Sequence, residues 1–169
     1  MTKLRLASAL FIAPSLWFAS QTEPEKWSRV YTGSESIIEI DRSSVTFTAN
    51  NVNHQVDFRT AHTGRVRFRT TFSKPQPLDK NPAASYKTSL ETYEFRCQKD
   101  SRVIQSAGQL PPLKATDYRS YTTSFLSSDD KVIGHHDGPG DWKPIRSGYV
   151  MDKLGEAACT LIEEKRRTP

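Results

Sequence analysis

The chain is poor in the residues that usually announce a chemistry. It has 2 cysteines, 2 methionines and 8 scattered glycines among 169 residues. No Gly-x-Ser-x-Gly elbow presents a nucleophilic serine, and no Gly-x-x-x-x-Gly-Lys loop exists to cradle a phosphate. Neither Cys97 nor Cys159 has a second Cys or a His at ligand spacing, which argues against a zinc site built from close ligand pairs. We therefore expect no enzymatic activity, no cofactor and no metal. Charge of one sign is also scarce: removing Lys3 and Arg5 with an N-terminal leader lowers the formal charge from +5 to +3. That is too mild for a nucleic-acid partner. A long apolar run is missing as well, since Leu6 to Ala19 spans about 14 residues where a membrane helix needs roughly 20.

What that apolar run does resemble in layout is a secretory leader. Lys3 and Arg5 precede it, Pro14 interrupts its helical middle, and the sequence turns polar at Gln21-Thr22-Glu23. We expect a signal peptide over 1–20, with Ala19 and Ser20 supplying small residues for cleavage, and a stub over 21–26. No Cys stands at the cleavage point to carry a lipid. The expected address is therefore export to the periplasm or the medium, with no stable membrane span.

Export sets the reading of the cysteines. Cys97 and Cys159 form an even pair in a compartment where disulfides persist, and a bond between them closes a loop of about 62 residues, for roughly 4 kcal/mol in the chain-entropy model. The rival reading is two free buried thiols.

Downstream, the periodicity is mostly that of strands. Trp27–Thr32 and Ile37–Ile40 read as a hairpin, followed by Val45–Thr48 and then Val52–Thr60, which puts His54 on an apolar face and Arg59 on a polar one. Arg65–Phe72 alternates, with Val66, Phe68, Thr70 and Phe72 on one side and Arg65, Arg67 and Arg69 on the other. Residues 74–84 hold Pro75, Pro77 and Pro82 and read as a loop. Tyr86–Gln98 alternates again, turning Tyr93, Phe95 and Cys97 inward. Ser101–Ala107, Tyr118–Leu126 and Lys131–Gly134 are weaker strands. After the turn at Asp137-Gly138-Pro139-Gly140 the period becomes helical: Met151, Leu154, Gly155, Ala158, Leu161 and Ile162 form a stripe with Cys159 at its edge. The fold class expected is α+β, an antiparallel sheet packed against one C-terminal helix and stapled by a disulfide. The domain would span 27–164, leaving 165–169 as a polar tail.

These elements carry a resemblance. Trp27 opening the first strand, Ile38-Glu39-Ile40-Asp41-Arg42-Ser43-Ser44-Val45, Tyr93-Glu94-Phe95-Arg96-Cys97, and Trp142-Lys143-Pro144-Ile145 ahead of a helix that holds Cys159 resemble the bacterial surface-adhesin protein E family in order and spacing. The resemblance implies an exported, non-enzymatic domain of sheet and C-terminal helix. In the family it implies binding of host matrix and plasma proteins by outer-surface lipoproteins. The chain departs from the pattern by lacking the lipid-anchor Cys and by longer segments over His62–Ala84 and Leu110–Ser127.

Among polar residues, Arg59, Arg65, Arg67, Arg69 and Lys74 are the candidate anion-binding set, because guanidinium forks match planar anions. The plainer reading is a solvated face whose charges guard a sheet edge. His135-His136-Asp137 reads as a loop, since adjacent histidines on an extended chain point to opposite sides, and His54 as a paired core or edge residue. Trp142 reads as a core plug before the helix. The expected partner is a protein or an acidic polymer.

Overall fold

The structure, a computed structural model, describes residues 26–48, 62–79, 81–99 and 113–167. The leader 1–20, His54, Arg59 and the strands expected over 52–60 and 101–107 lie outside the described residues.

The strands are β1 (Trp27–Thr32), β2 (Ser36–Asp41), β3 (Thr46–Thr48), β4 (His62–Leu78), β5 (Asn81–Lys99), β6 (Leu113–Leu126), β7 (Val132–Asp137) and β8 (Lys143–Pro144), followed by one helix, α1 (Val150–Arg167). All pairings are antiparallel, in the order β1-β2-β4-β5-β6-β7, with β3 beside β4 and β8 beside β6. The expected α+β class is what forms. Alternation on β4 buries Gly64, Val66, Phe68 and Thr70 on the helix side, and on β5 it buries Phe95 and Cys97 there.

The helix crosses the strands, touching one after another. Gly155 packs on Ala115 of β6, Cys159 is bonded to Cys97 of β5, Ile162 fills the space left by Gly64 of β4, and Lys165 Nζ donates to the carbonyl of Val45 just before β3. From Gly155 to Lys165 a helix rises roughly 15 Å. Three strand spacings are roughly 14 Å, so one contact falls on each successive strand. Leu154, Ala158, Cys159 and Ile162 are buried by this contact, together with Phe95 and Val66. Cys97 and Cys159 are joined with their Cα atoms 5.7 Å apart.

Between β2 and β3 the chain turns through a single 3₁₀ turn, Arg42–Ser44. Asp41, 1% exposed, caps it: Oδ1 accepts from the Ser43 amide at 3.0 Å and the Ser43 hydroxyl at 2.5 Å, and the Asp41 carbonyl accepts from Ser44 Oγ at 2.7 Å. Lys26 Nζ lies 3.5 Å from Asp41 Oδ2, so Lys26 belongs to this corner and not to a free stub.

Three expectations need correction. Residues 74–84 are largely strand: β4 continues to Leu78 and β5 starts at Asn81. The prolines are tolerated because the ladder register breaks between Thr71 and Gln76 and again between Pro77 and Leu78. His135, His136 and Asp137 are in β7, paired with Ser124, Thr123 and Thr122. The helix runs through Arg167, so Lys165 is in its last turns and not in a tail.

Because α1 crosses at one end, the far end of the long β4–β5 ribbon extends beyond it. There the ring of Tyr86 meets Phe72 edge to face and Phe125 at a tilt, with centroids 5.6 and 4.6 Å apart.

Candidate functional site

The sheet face opposite the helix carries the densest charge and aromatic chemistry in the described residues. Strand alternation places Arg65, Arg67 and Arg69 there, and register sets their neighbours. Arg65 stands beside Glu94, which stands beside Arg119; Arg67 stands beside Thr92, and Thr92 beside Thr122; Arg69 lies between Glu39 and Leu90; Arg96 stands beside Asp117.

The strip is not a row of free cations. Arg69 binds Glu39 Oε2 through Nε at 2.9 Å and Nη2 at 2.7 Å. Glu94 receives Arg65 Nε on Oε1 at 3.1 Å and Arg119 on Oε2 at 2.5 Å. Flanked in this way, Glu94 is only 4% exposed although it is on the outer side. Arg67 is different: its side chain is exposed and meets no carboxylate among the described residues, while its amide donates to Ser44 Oγ at 2.9 Å. Lys74 is exposed in the irregular stretch of β4 beyond Thr71, away from the arginine rows. The structure thus brings together Arg65, Arg67 and Arg69 of the expected set and separates Lys74 from them. Nor is β4 an edge strand, so its charges do not guard an edge; it lies between β2 and β5.

Aromatic rings lie under these guanidiniums. Arg65 covers Tyr121 at 3.8 Å from the ring centroid, Arg69 covers Trp27 at 4.6 Å, and Arg96 and Arg119 cover Trp142 at 4.0 and 4.6 Å. Trp142 is therefore no core plug. It sits beside β8 on the outer side, because β8 pairs with Asp117 and Tyr118 and brings the residue before it over the Arg96 and Arg119 side chains. Cation–π attraction at these distances restrains the guanidiniums over the rings. Arg96, Arg119, Tyr121, Trp27 and Trp142 were not in the expected set. Alternation of Glu94, Arg96 and Gln98 opposite Cys97 was the one signal that could have added Arg96.

On the helix side lies a second polar group. Glu91 accepts from the hydroxyls of Tyr93 and, at 2.6 Å, Ser89. Burial first, then the charge of Glu91 and its hydrogen bond, and then Tyr118, push the Tyr93 phenol well above its ordinary range. The Tyr86 phenol is raised as well, by burial and then by Glu91 and Asp79.

His135 joins Ser124 Oγ to Nδ1 at 2.8 Å and Asp137 Oδ1 to Nε2 at 2.8 Å. These are the residue types of a hydrolytic relay, but Asp137 is 71% exposed and His135 46%. Water competes for both contacts there, so the chain of bonds serves to knit β7 to β6. No cluster of three metal-ligating side chains occurs among the described residues.

A groove of about 400 Å³ runs between β1 and α1, floored by Val30, Ile40, Ala157 and Leu161. A smaller cavity of about 200 Å³ lies under the β4–β5 tip, against Tyr86, Phe125 and Gly134. Compared with family profiles, curated proteins and solved structures, the chain matches none.

Proposed function

We propose that this chain is an exported, non-enzymatic binding module for a protein partner, as the resemblance to surface-adhesin protein E implies, and that it receives that partner on the outer face of its sheet. One observation carries the reading: the open face presents Trp27, Tyr121 and Trp142, each within cation–π distance of an arginine. Trp, Tyr and Arg dominate the few residues that supply most of the binding energy at protein interfaces. Pairs of this kind lose little freedom on binding, because their side chains are already ordered. The apolar leader and the Cys97–Cys159 bond support an address in the periplasm or outside the cell.

A second reading, capture of an acidic polymer such as a glycan or lipopolysaccharide, is favoured by Arg67, which is exposed and makes no ion pair among the described residues. Against it, Glu39 and Glu94 already hold Arg65, Arg69 and Arg119.

Capture assays separate the two. The chain over 21–169 is passed over immobilised matrix proteins and over heparin resin, at low and high salt, as wild type, as Trp142→Ala and as a triple Arg65→Ala, Arg67→Ala, Arg69→Ala variant. Retention on a matrix protein that survives high salt and is lost in Trp142→Ala supports the protein-binding reading. Retention on heparin alone, lost with salt and in the triple variant, supports the polymer reading.

A further inference from the structure

β1 is an edge strand: among the described residues its only ladder is with β2. The Arg42 amide donates to the Lys26 carbonyl at 3.1 Å, which makes Lys26 and, two residues on, Ser28 the positions bonded to β2. Trp27 and Arg29 therefore turn their backbone N–H and C=O groups away from β2, toward the open edge. Beyond Arg29 the register shifts, so the regular free edge is confined to these two residues. The groove between β1 and α1 opens beside this stretch, since Ser28, Arg29 and Val30 form part of one wall and α1 forms the other. Its floor is apolar, and four of the five charged side chains on its rim pair with each other, Lys153 with Glu156 at 3.3 Å and Arg42 with Glu164 at 3.3 Å. The fifth, exposed Arg29, stands beside Glu39.

We propose that this edge and groove together receive an extended segment of a partner protein, added as an antiparallel strand on β1 with one uncharged apolar side chain seated in the groove. The inference goes beyond the outer-face reading and does not depend on it, since Trp27 takes part only through its main chain. Unshared donors and acceptors at Trp27 and Arg29 demand a chain that offers its own backbone, which a helix, bonded internally, cannot do. The two residues are roughly 7 Å apart, the interval at which an extended chain repeats its own edge-facing groups. In an antiparallel pair the residues bonded to Trp27 and Arg29 lie opposite them and share their outward side. The residue between them then turns its side chain inward, over Ser28. Ser28 is small and leaves that space to the guest, with Val30, Ile40, Ala157 and Leu161 around it. The paired rim leaves little counter-charge for an ionic side chain, so the seat suits an aliphatic one. A second copy's β1, paired through the same two residues, would bring its own Ser28 to that position and leave the groove unfilled.

The test titrates a labelled Thr-Thr-Thr-Leu-Thr-Thr-Thr peptide with the chain over 21–169, read by fluorescence anisotropy. Saturable binding is expected. N-methylation of the third and fifth residues, whose amides face β1, should weaken it at least about tenfold, and N-methylation of the leucine, whose amide faces away, by less than about threefold. A peptide with aspartate in place of the leucine should also bind at least about tenfold more weakly. On the protein side, Arg29→Pro removes an edge N–H without breaking a bond to β2, and should bind the leucine peptide at least about fivefold more weakly than Arg29→Ala, which keeps that N–H. If Arg29→Pro does not fold, the two methylated peptides still decide the question. Absence of saturable binding, equal losses in the two methylated peptides, an aspartate peptide that binds as well as the leucine one, or equal binding by folded Arg29→Pro and Arg29→Ala overturns the inference. So does sedimentation that finds a wild-type dimer dissociated by Arg29→Pro, because a second copy would then hold the edge.

Discussion

Gly155 of α1 and Ala115 of β6 meet so closely that a Cβ built on Gly155 would lie 2.6 Å from the Ala115 Cβ and 3.1 Å from Ile145 Cδ1. This contact sets how near the helix comes to the sheet, and neither partner has a flexible end that could swing aside. Gly155→Ala gains about 1 kcal/mol of helix propensity. The overlap outweighs it, because the helix is tied to the neighbouring strand β5 by the disulfide. We expect Gly155→Ala to lose about 1–3 kcal/mol in urea unfolding, and Ala115→Gly in the same chain to restore part of the loss. Stabilisation by Gly155→Ala alone would mean that the helix sits further from the sheet.

The disulfide gives a second expectation. It links positions 62 residues apart and ties α1 to the middle of the sheet. Reduction, or replacement of both cysteines by alanine, is expected to cost about 4 kcal/mol, chiefly by enlarging the unfolded ensemble. Equilibrium unfolding with and without reductant measures this. A change below about 1 kcal/mol would show that the sheet and helix hold each other without the crosslink.

The parts of this fold that were legible before any coordinates were those that rest on local period. Val66, Phe68 and Thr70 alternate with arginines, and Leu154, Ala158 and Ile162 recur at helical spacing, so the face of β4 and the buried stripe of α1 could be read directly. The pairing of Cys97 with Cys159 followed from there being only two. What stayed hidden depends on register across strands. Nothing local says that Arg119 will stand beside Glu94, because an extra residue on β6, Tyr121, between the partners of Thr92 and Tyr93 shifts the match with β5. The same holds for Trp142, whose position is set by the two-residue β8. Likewise the prolines at 75, 77 and 82 argued for a loop, since a broken register that excuses them leaves no mark in the sequence.

Alkaline pH supplies a third test. The Tyr93 phenol is raised in the folded state, so the folded chain holds its proton to higher pH than the unfolded chain, where a tyrosine titrates near 10. The stabilisation is therefore complete below pH 10 and declines above it as the unfolded state loses its proton first. Tyr93 can contribute a slope of up to about 1.4 kcal/mol per pH unit in that range. In Tyr93→Phe the alkaline decline should be shallower, while stability at pH 7 drops by about 1 kcal/mol for the lost hydrogen bond to Glu91. An unchanged alkaline slope in the variant would place the titrating group elsewhere, Tyr86 being the next candidate.

Glu94 is the keystone of the outer face, and its removal can be followed by salt as well as by stability. Without its carboxylate, Arg65 and Arg119 face each other with nothing between them, their side chains 40% and 25% exposed. Breaking a fully buried pair costs about 3–5 kcal/mol, and access of water to both arginines lowers the expectation for Glu94→Ala to about 1–3 kcal/mol. Glu94→Gln keeps an acceptor oxygen and the side-chain volume, and should lose less. If repulsion between the guanidiniums causes the loss, raising the salt to 1 M shortens the screening length to about 3 Å and should recover part of the stability of Glu94→Ala but little of the wild type's. A loss that ignores salt would mean that Glu94 matters for filling the space between Arg65 and Arg119 and not for balancing the two charges.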